Sequence, residues 1–343
     1  KMNGSILGPS TASSTLRSSC ATNMARQQHN PVQKYRKTIF VTGGAGFIGS
    51  NYLNKYVRQY PTSLFVNIDC LTYAADLKNL TVAKLPNYRF RKVDIRNLAK
   101  LEAVFKEFTP DGVINFSAES HVDLSIKDPN IFIETNIGGT QNLLALSQKY
   151  GVKRFHQIST DEVYGALKDK KGSFTEKTPL APRNPYSASK AGAELMVLAH
   201  HETFGMDVVI TRSSNNYGPN QDRSKLIPLF LTNLLVGKKV PVYGKGENIR
   251  DWLFVEDNVD AIDLVFHKGR SGEVYNIGGN CELTNMTVTK KLLALTGRDE
   301  TFITYVKDRL GHDFRYSLDS KKIAKELGWK PRMKFAEGIQ STF

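Results

Sequence analysis

Asp161 and Glu162 stand side by side in "HQISTDEVYG", residues 156–165, directly after the hydroxyl of Thr160. Adjacent carboxylates repel one another and lose hydration if they turn into a core. They belong either to a solvated turn or to a site where one carboxyl keeps its proton while the other takes one up, as paired acid–base chemistry requires. A second pairing lies in "NPYSASKAGAELMVLAHH", where Tyr186 and Lys190 are spaced one helical turn apart and share a face. A lysine ammonium beside a phenol stabilises the phenolate and draws down a pKa that is about 10 unperturbed. Such a tyrosine removes a hydroxyl proton near neutral pH; the same spacing also arises on an ordinary exposed helix.

A glycine turn upstream favours the catalytic reading. Gly43-Gly44-Ala45-Gly46-Phe47-Ile48-Gly49 follows a strand-like run, "TIFVT", and opens a helix-like one, "FIGSNYLNKYVRQY". The spacing Gly43-x-x-Gly46-x-x-Gly49 differs by one residue from the common G-x-G-x-x-G, but the physics is shared. A side chain there blocks the tight turn and keeps a pyrophosphate away from the N–H groups at the helix start. Asp69 ends the next strand-like run, where it accepts hydrogen bonds from ribose hydroxyls and repels a 2′-phosphate, so the pattern points to NAD rather than NADP. Asp94 closes the third run and has a weaker claim on the adenine edge. With a nicotinamide ring to take a hydride, the tyrosine and lysine read as the proton-handling half of an oxidation.

These residues need a scaffold, and the pattern supplies one. The runs "TIFVT", "SLFVNID", "YRFRKVDI", "GVINFSA", "RFHQIS" and "DVVITRSS" alternate with helical stretches such as Leu98–Glu107, "IGGTQNLLALSQKYG" and Pro185 to about Phe204. The alternation predicts an α/β fold, a Rossmann-type doubly wound parallel sheet covered on both faces. Beyond Tyr217 the texture becomes loop-rich, then mixes short strands and helices. The expected division is a basic, disordered N-terminal extension over 1–37, an NAD-binding domain over 38–210, and a smaller mixed α/β substrate-binding lobe over 211–343, some of whose segments return to the first domain.

The formal charge of +14 on 343 residues invites a nucleic-acid reading. Six of those positive charges fall in the first 37 residues, no acid precedes Asp69, and no recognition motif accompanies the charge. The remaining excess suits an anionic small substrate equally, so no nucleic-acid partner is expected. The leading stretch is rich in Ser and Thr and lacks periodicity or the apolar centre of a secretory signal. Arg with Ser and no acid gives it a loose similarity to an organelle transit peptide. Three cysteines far apart and seven histidines without ligand spacing predict neither disulfides nor a metal, and a reducing, cytoplasmic setting fits. The longest apolar run, "LIPLFLTNLLV", is too short to span a membrane.

"TGGAGFIG", Tyr186-x-x-x-Lys190 and "STDEVYG" together resemble the extended short-chain dehydrogenase/reductase superfamily, and within it the chain is similar to the nucleotide-sugar 4,6-dehydratases. The similarity runs from about Thr38 to Phe335 through "SAESHVDLSI", "TNIGGT", "TRSSNNYGPNQ", "KLIP", "NIRDWLFVED", "YNIGG", "DRLGHDFRY" and "LGWKP". Ser117 stands where the family usually has Ala, and Leu124 where Arg is usual.

The resemblance implies NAD-dependent dehydration of a nucleotide-activated hexose, dTDP-glucose first and UDP-glucose second, to the 4-keto-6-deoxy sugar. Thr160 supplies the hydroxyl of the superfamily's triad. Tyr186, with Lys190 beside it, takes the C4 hydroxyl proton while NAD takes the C4 hydride. Glu162 removes the C5 proton that the new ketone acidifies, and protonated Asp161 donates to the departing C6 hydroxyl. The hydride returns to C6, so NAD is recycled and stays bound. The implied cofactor site comprises Gly43, Gly46, Phe47, Ile48, Gly49, Asp69, Leu71, Thr72, Asp94, Ile95, Ala118, Thr135, Tyr186, Lys190 and Asn216. The implied substrate site comprises Ser120, Thr160, Asn215, Lys225, Leu226, Arg250, Asn285, Arg309, His312 and Tyr316. A homodimer through packed helices is implied as well.

The rivals each leave a feature unused. A sugar-nucleotide 4-epimerase or decarboxylase shares NAD, tyrosine and lysine but does not need two acids for loss of water. A catalytically idle NAD-binding scaffold has no need to keep the tyrosine and lysine together.

Overall fold

Val, Ile and Phe recur in the runs that become the central strands: β1 (Lys37–Thr42), β2 (Ser63–Asp69), β3 (Tyr88–Lys92), β4 (Gly112–Asn115), β5 (Arg154–Thr160) and β6 (Val208–Ser213). Shorter strands follow: β7 (Asn215–Tyr217), β8 (Val240–Tyr243), β9 (Ile249–Phe254), β10 (Glu273–Ile277), β11 (Glu282–Thr284) and β12 (Ile303–Val306). The protein is seen in a computed structural model that describes residues 35–167, 169, 171–308 and 313–342. Arg309, His312 and residues 1–34 of the basic leading stretch lie outside the described residues.

The large sheet is parallel throughout, with strand order β3-β2-β1-β4-β5-β6-β10. Strand order reverses between β1 and β4. Doubly wound sheets open a crevice at that switch point, beyond the carboxyl ends of the strands. Alternation along β1 divides its side chains between two cores. Ile39 and Val41 pack with Tyr52, Leu53 and Val57 of helix Phe47–Gln59 and with Val259, Ile262 and Val265 of helix Val255–Lys268. Phe40 faces the other way, against Leu101 and Phe105 of helix Leu98–Phe108, Leu143 and Leu144 of helix Thr140–Lys149, and Val197 of helix Pro185–Phe204. Burying each such side chain contributes roughly 1.5–3 kcal/mol relative to exposure.

A third core gathers Tyr217, Phe230, Leu234, Trp252, Leu292 and Phe335. Helices Leu226–Leu235, Asn285–Leu295 and Phe335–Thr342 build it, together with a three-stranded sheet, β11-β9-β7, and a two-stranded one, β12-β8. The apolar run at Leu226 is therefore one of its helices. Among the described residues no helix is long and apolar enough to cross a membrane. Between the segments of this third core the chain goes back to the large sheet, where β10 pairs with β6.

Candidate active site

β1 ends at Thr42 and the chain turns through Gly43, whose φ of +67° suits glycine and whose missing Cβ would lie 2.7 Å from the Ser117 nitrogen. A Cβ on Gly49 would run into the Gly43 carbonyl oxygen, so helix Phe47–Gln59 packs directly on the turn. That helix has no side-chain cap and no acid in its first turn, which leaves the positive end of its dipole to the cleft. Asp69 is buried at the end of β2. Its Oδ2 accepts from Ala45 N at 2.9 Å and its Oδ1 from Leu71 N at 2.8 Å. Burial raises its pKa and those two bonds pull against the rise. Asp69 thus braces the glycine turn while lining the cleft. A side-chain-free turn, bare N–H groups and a buried acceptor at the end of β2 fit a dinucleotide.

The cleft encloses about 520 Å³ and takes in Thr72, Asp94, Ile95, Ala118, Thr135 and Asn216 as well as the glycine turn. It also takes in Ser120, Asn215, Lys225, Leu226, Arg250 and Asn285. Leu71 and Tyr316 lie outside its lining. The Asp94 carboxylate is gripped through both oxygens by Arg96, which holds its pKa below the ordinary value. The Asn216 amide is occupied by Ser213, Ser214 and Asn258.

Thr160 is the last residue of β5, and a single 3-10 turn, Asp161–Tyr164, follows it. The Thr160 hydroxyl accepts from Glu162 N at 3.3 Å, capping the turn, and donates to Asp161 Oδ1 at 3.2 Å. Asp161 is only 2% exposed, and its Oδ2 is buried with no hydrogen-bond partner among the described residues. Burial, then the charges of Glu162 and Asp251, push its pKa well above the carboxylate range. Burial therefore favours the protonated, neutral carboxyl at Asp161. Glu162 is partly exposed, with Asn184 Nδ2 3.4 Å from its Oε2.

Asn184 does a second job. Its Oδ1 accepts from Ser187 N at 2.8 Å, the Ser187 hydroxyl returns the bond, and Pro185 takes the first helical position. Helix Pro185–Phe204 starts there, which puts Tyr186 in its first turn and Lys190 one turn on. Lys190 Nζ donates to the Ile158 carbonyl at 2.6 Å, and burial lowers its pKa to about 8. The Tyr186 phenol meets the opposite balance from the one expected of a lysine neighbour. Burial and the Glu162 charge raise its pKa, and the neighbouring Thr160 hydroxyl opposes them.

Arg250 is buried on β9, with its guanidinium 4.5 Å from the Tyr316 ring centroid and donating to the carbonyls of Ile249 at 2.8 Å and Asp313 at 3.0 Å. The Tyr316 hydroxyl donates to the Asp313 carboxylate, so Tyr316 steadies Arg250 from behind. Lys225 Nζ donates to the Ser120 carbonyl at 3.2 Å. Asn285 begins helix Asn285–Leu295, behind the Thr284 cap.

Sequence reasoning missed three contributors. Asp251 follows Arg250 on β9 and is buried, accepting from Gly279 N at 3.0 Å and Cys281 N at 2.8 Å, with a pKa pushed up to about 6. No alternation in "IRDWLF" marks it, since Arg250, Asp251, Trp252 and Leu253 are all buried. Asn184 was announced by the Asn-Pro that starts a helix. Asn136 has no local signal: its amide clamps the backbone of Glu119 at 2.9 and 3.0 Å and donates to Ser189 Oγ at 2.8 Å.

Residues 40–342 match the family model described as GDP-mannose 4,6 dehydratase. A dTDP-glucose 4,6-dehydratase of Haemophilus influenzae is 48% identical over 325 residues, covering 89% of this chain and 96% of that one. The crystal structure of a dTDP-glucose 4,6-dehydratase from Streptomyces venezuelae with NAD and TYD bound superposes with a TM-score of 0.86 at 47% identity, covering 89% of this chain and 95% of that one. A UDP-glucose 4-epimerase of Thermotoga maritima, with UDP-glucose, reaches a TM-score of 0.83 at 32% identity over 89% of this chain and 97% of that one. The fold is therefore shared with epimerases, while the sequence lies nearer the dehydratases. The chain belongs to the GDP-mannose 4,6 dehydratase family, among the extended short-chain dehydrogenases/reductases.

Proposed function

We propose that the chain is an NAD-dependent hydro-lyase that converts dTDP-glucose to dTDP-4-keto-6-deoxyglucose and water. The observation that carries this reading is the burial of Asp161 beside partly exposed Glu162 on the wall that also holds Tyr186. An epimerase has no use for a buried acid there. The enzyme of Streptomyces venezuelae that binds NAD and TYD supports the same assignment.

Gly43, the N–H groups at Phe47 and Ile48, Asp69, Thr135 and Lys190 are the residues that would hold NAD. When bound, NAD supplies the place where the C4 hydride is lodged and from which C6 regains it. Tyr186 takes the C4 hydroxyl proton, with the Thr160 hydroxyl close by in the same wall of the cleft. Glu162 takes the C5 proton once C4 is a ketone, Asp161 gives its proton to the C6 hydroxyl, which leaves as water, and Glu162 returns its proton to C5 when C6 regains the hydride. The two carboxyls suit these opposite tasks because burial keeps Asp161 protonated while Glu162 reaches the cleft. Lys225 and Arg250 offer cationic donors toward the diphosphate, and Ser120, Asn215 and Asn285 offer polar contacts. Arg309 and His312 complete the proposed substrate set.

A homodimer is part of the proposal. Leu195, more than half exposed on helix Pro185–Phe204, and Ile133, likewise exposed on the segment packed against that helix, support an apolar helical interface. The free cysteines Cys70 and Cys281 support a reducing, cytoplasmic setting. Parallel incubation with dTDP-glucose and UDP-glucose tests the function. The expected product absorbs in alkali as a 4-keto sugar and is lighter by one water, with dTDP-glucose preferred. Recovery of a C4 epimer at unchanged mass would replace the reading with an epimerase.

A further inference from the structure

Behind the cleft, buried side chains from four elements form one hydrogen-bonded chain. Arg212 on β6 is 3% exposed. Its Nε lies 3.1 and 3.0 Å from the two carboxylate oxygens of fully buried Glu194, its Nη2 donates to Glu194 Oε2 at 2.5 Å, and its Nη1 donates to the Tyr164 hydroxyl at 2.7 Å. The Tyr164 hydroxyl passes its own proton to Asn276 Oδ1 at 2.8 Å. Arg212 and Asn276 are direct cross-strand partners on β6 and β10. The Tyr164 ring is held on its faces too, with the guanidinium carbon 4.7 Å from its centroid and Phe174 stacked at 5.0 Å.

Two members of this chain sit on the two halves of the chemistry. Tyr164 closes the turn that opens with Asp161 and Glu162. Glu194 lies one helical turn beyond Lys190 on the helix that carries Tyr186. Stability alone does not explain the arrangement, because a buried ion pair is often no more stabilising than well-packed apolar residues of similar volume. Geometry does. A guanidinium is a rigid planar fork, so bonds from its two sides fix the distance between the groups it joins. A single turn cannot hold its own side chains in place, and Thr160 anchors only its leading end.

Resting on the dehydratase reading, we propose that Arg212 and Tyr164 are positioning residues that set the spacing between the acid–base turn and the tyrosine–lysine helix, so that loss of water stays in step with oxidation at C4. A sugar that spans both halves is oxidised by groups on the helix and dehydrated by groups on the turn. Slack in the turn harms the second step and spares the first.

The test uses the full-length protein with NAD and dTDP-glucose. Tyr164→Phe keeps the ring and its stacking but deletes the hydroxyl; Arg212→Lys keeps a buried charge but loses the fork. Two rates are read: reduction of bound coenzyme in the first turnover, from its near-ultraviolet absorbance, and steady-state formation of the keto sugar. Circular dichroism and thermal unfolding report folding. For both folded variants, the expected result is first-turnover reduction within about threefold of wild type, with product formation down about 10- to 100-fold. Reduced coenzyme then accumulates during turnover. Unchanged rates, or two rates that fall in proportion, overturn the proposal, since a purely structural role lowers both alike. A wild-type chain that neither reduces its coenzyme nor releases water overturns the dehydratase reading, and the positioning role falls with it. The wild-type control therefore separates the two failures.

Discussion

At the β1 end of the cleft, recognition falls to N–H groups and absent side chains; at the β5 end it falls to carboxyl, hydroxyl, phenol and ammonium groups held by distant partners. Gly43, Gly49 and the bare helix start need only their own turn and Asp69. Asp161 and Tyr186 depend on burial, and the turn between them depends on Arg212, Glu194 and Asn276. A site made mostly of backbone rests on a single buried acid, Asp69, whose carboxylate two N–H groups already satisfy. A site made of buried acids gains reactivity from groups that are costly to hold in one protonation state.

Substitutions at the two ends should therefore separate cleanly. Glu162→Gln should show the largest effect, lowering keto-sugar formation by about 10²–10⁴-fold, the range a general base supplies, with NAD affinity by calorimetry unchanged. Joint loss of coenzyme binding would mean the two ends are not separate. Gly43→Ala should do the reverse. Its left-handed backbone costs about 1–2 kcal/mol with a side chain, and the added Cβ displaces the Ser117 backbone, so NAD affinity should fall about tenfold or more. Affinity for the nucleotide sugar alone should hold.

Asp161→Asn sharpens the contrast through stability. An aspartate that titrates near 3.9 when unfolded and at a higher pH when folded binds more protons in the folded state between those values. Its contribution to stability is therefore greatest below the unfolded pKa and declines as pH rises toward the folded one. Asp161→Asn removes that decline, and its melting temperature should exceed that of wild type by about 2–4 °C near pH 8 while product formation drops. Thermal scans across pH check this; parallel curves for the two proteins would show that Asp161 carries no such strain. Asn184→Ala should have the smallest effect, about 1 kcal/mol of stability from the lost helix cap and a few-fold decrease in turnover.

The same contrast explains what was legible in the sequence. The glycine turn, the strands around it and the helix beginning at Pro185 are contiguous, and their periodicity and caps are local signals. The Asp-Glu pair could be found but its environment could not, since nothing near Asp161 says that it is 2% exposed. Tyr186 and Lys190 were read as a coupled pair from spacing alone. The structure gives Lys190 a backbone acceptor at Ile158, a kind of partner that leaves no mark on residue type. Arg212 joins positions 18 and 48 residues away along the chain, so its bonds exist only once β5 and β6 are paired. Asp251 reads in sequence as half of a charged dipeptide, and the donors that let it be buried, Gly279 N and Cys281 N, lie 28 and 30 residues further on.

The return of β10 to the edge of the large sheet bears on how the chain is made. During synthesis β6 emerges long before its last neighbour, because β7, β8 and β9 lie between them. Until Ile277 has left the ribosome, one side of β6 offers unpaired N–H and C=O groups along an apolar strand, the kind of edge that recruits other chains. A stalled or clipped product ending anywhere in that interval should be prone to clump, and a coenzyme-binding half cut out at β6 should need a substitute strand before it becomes soluble.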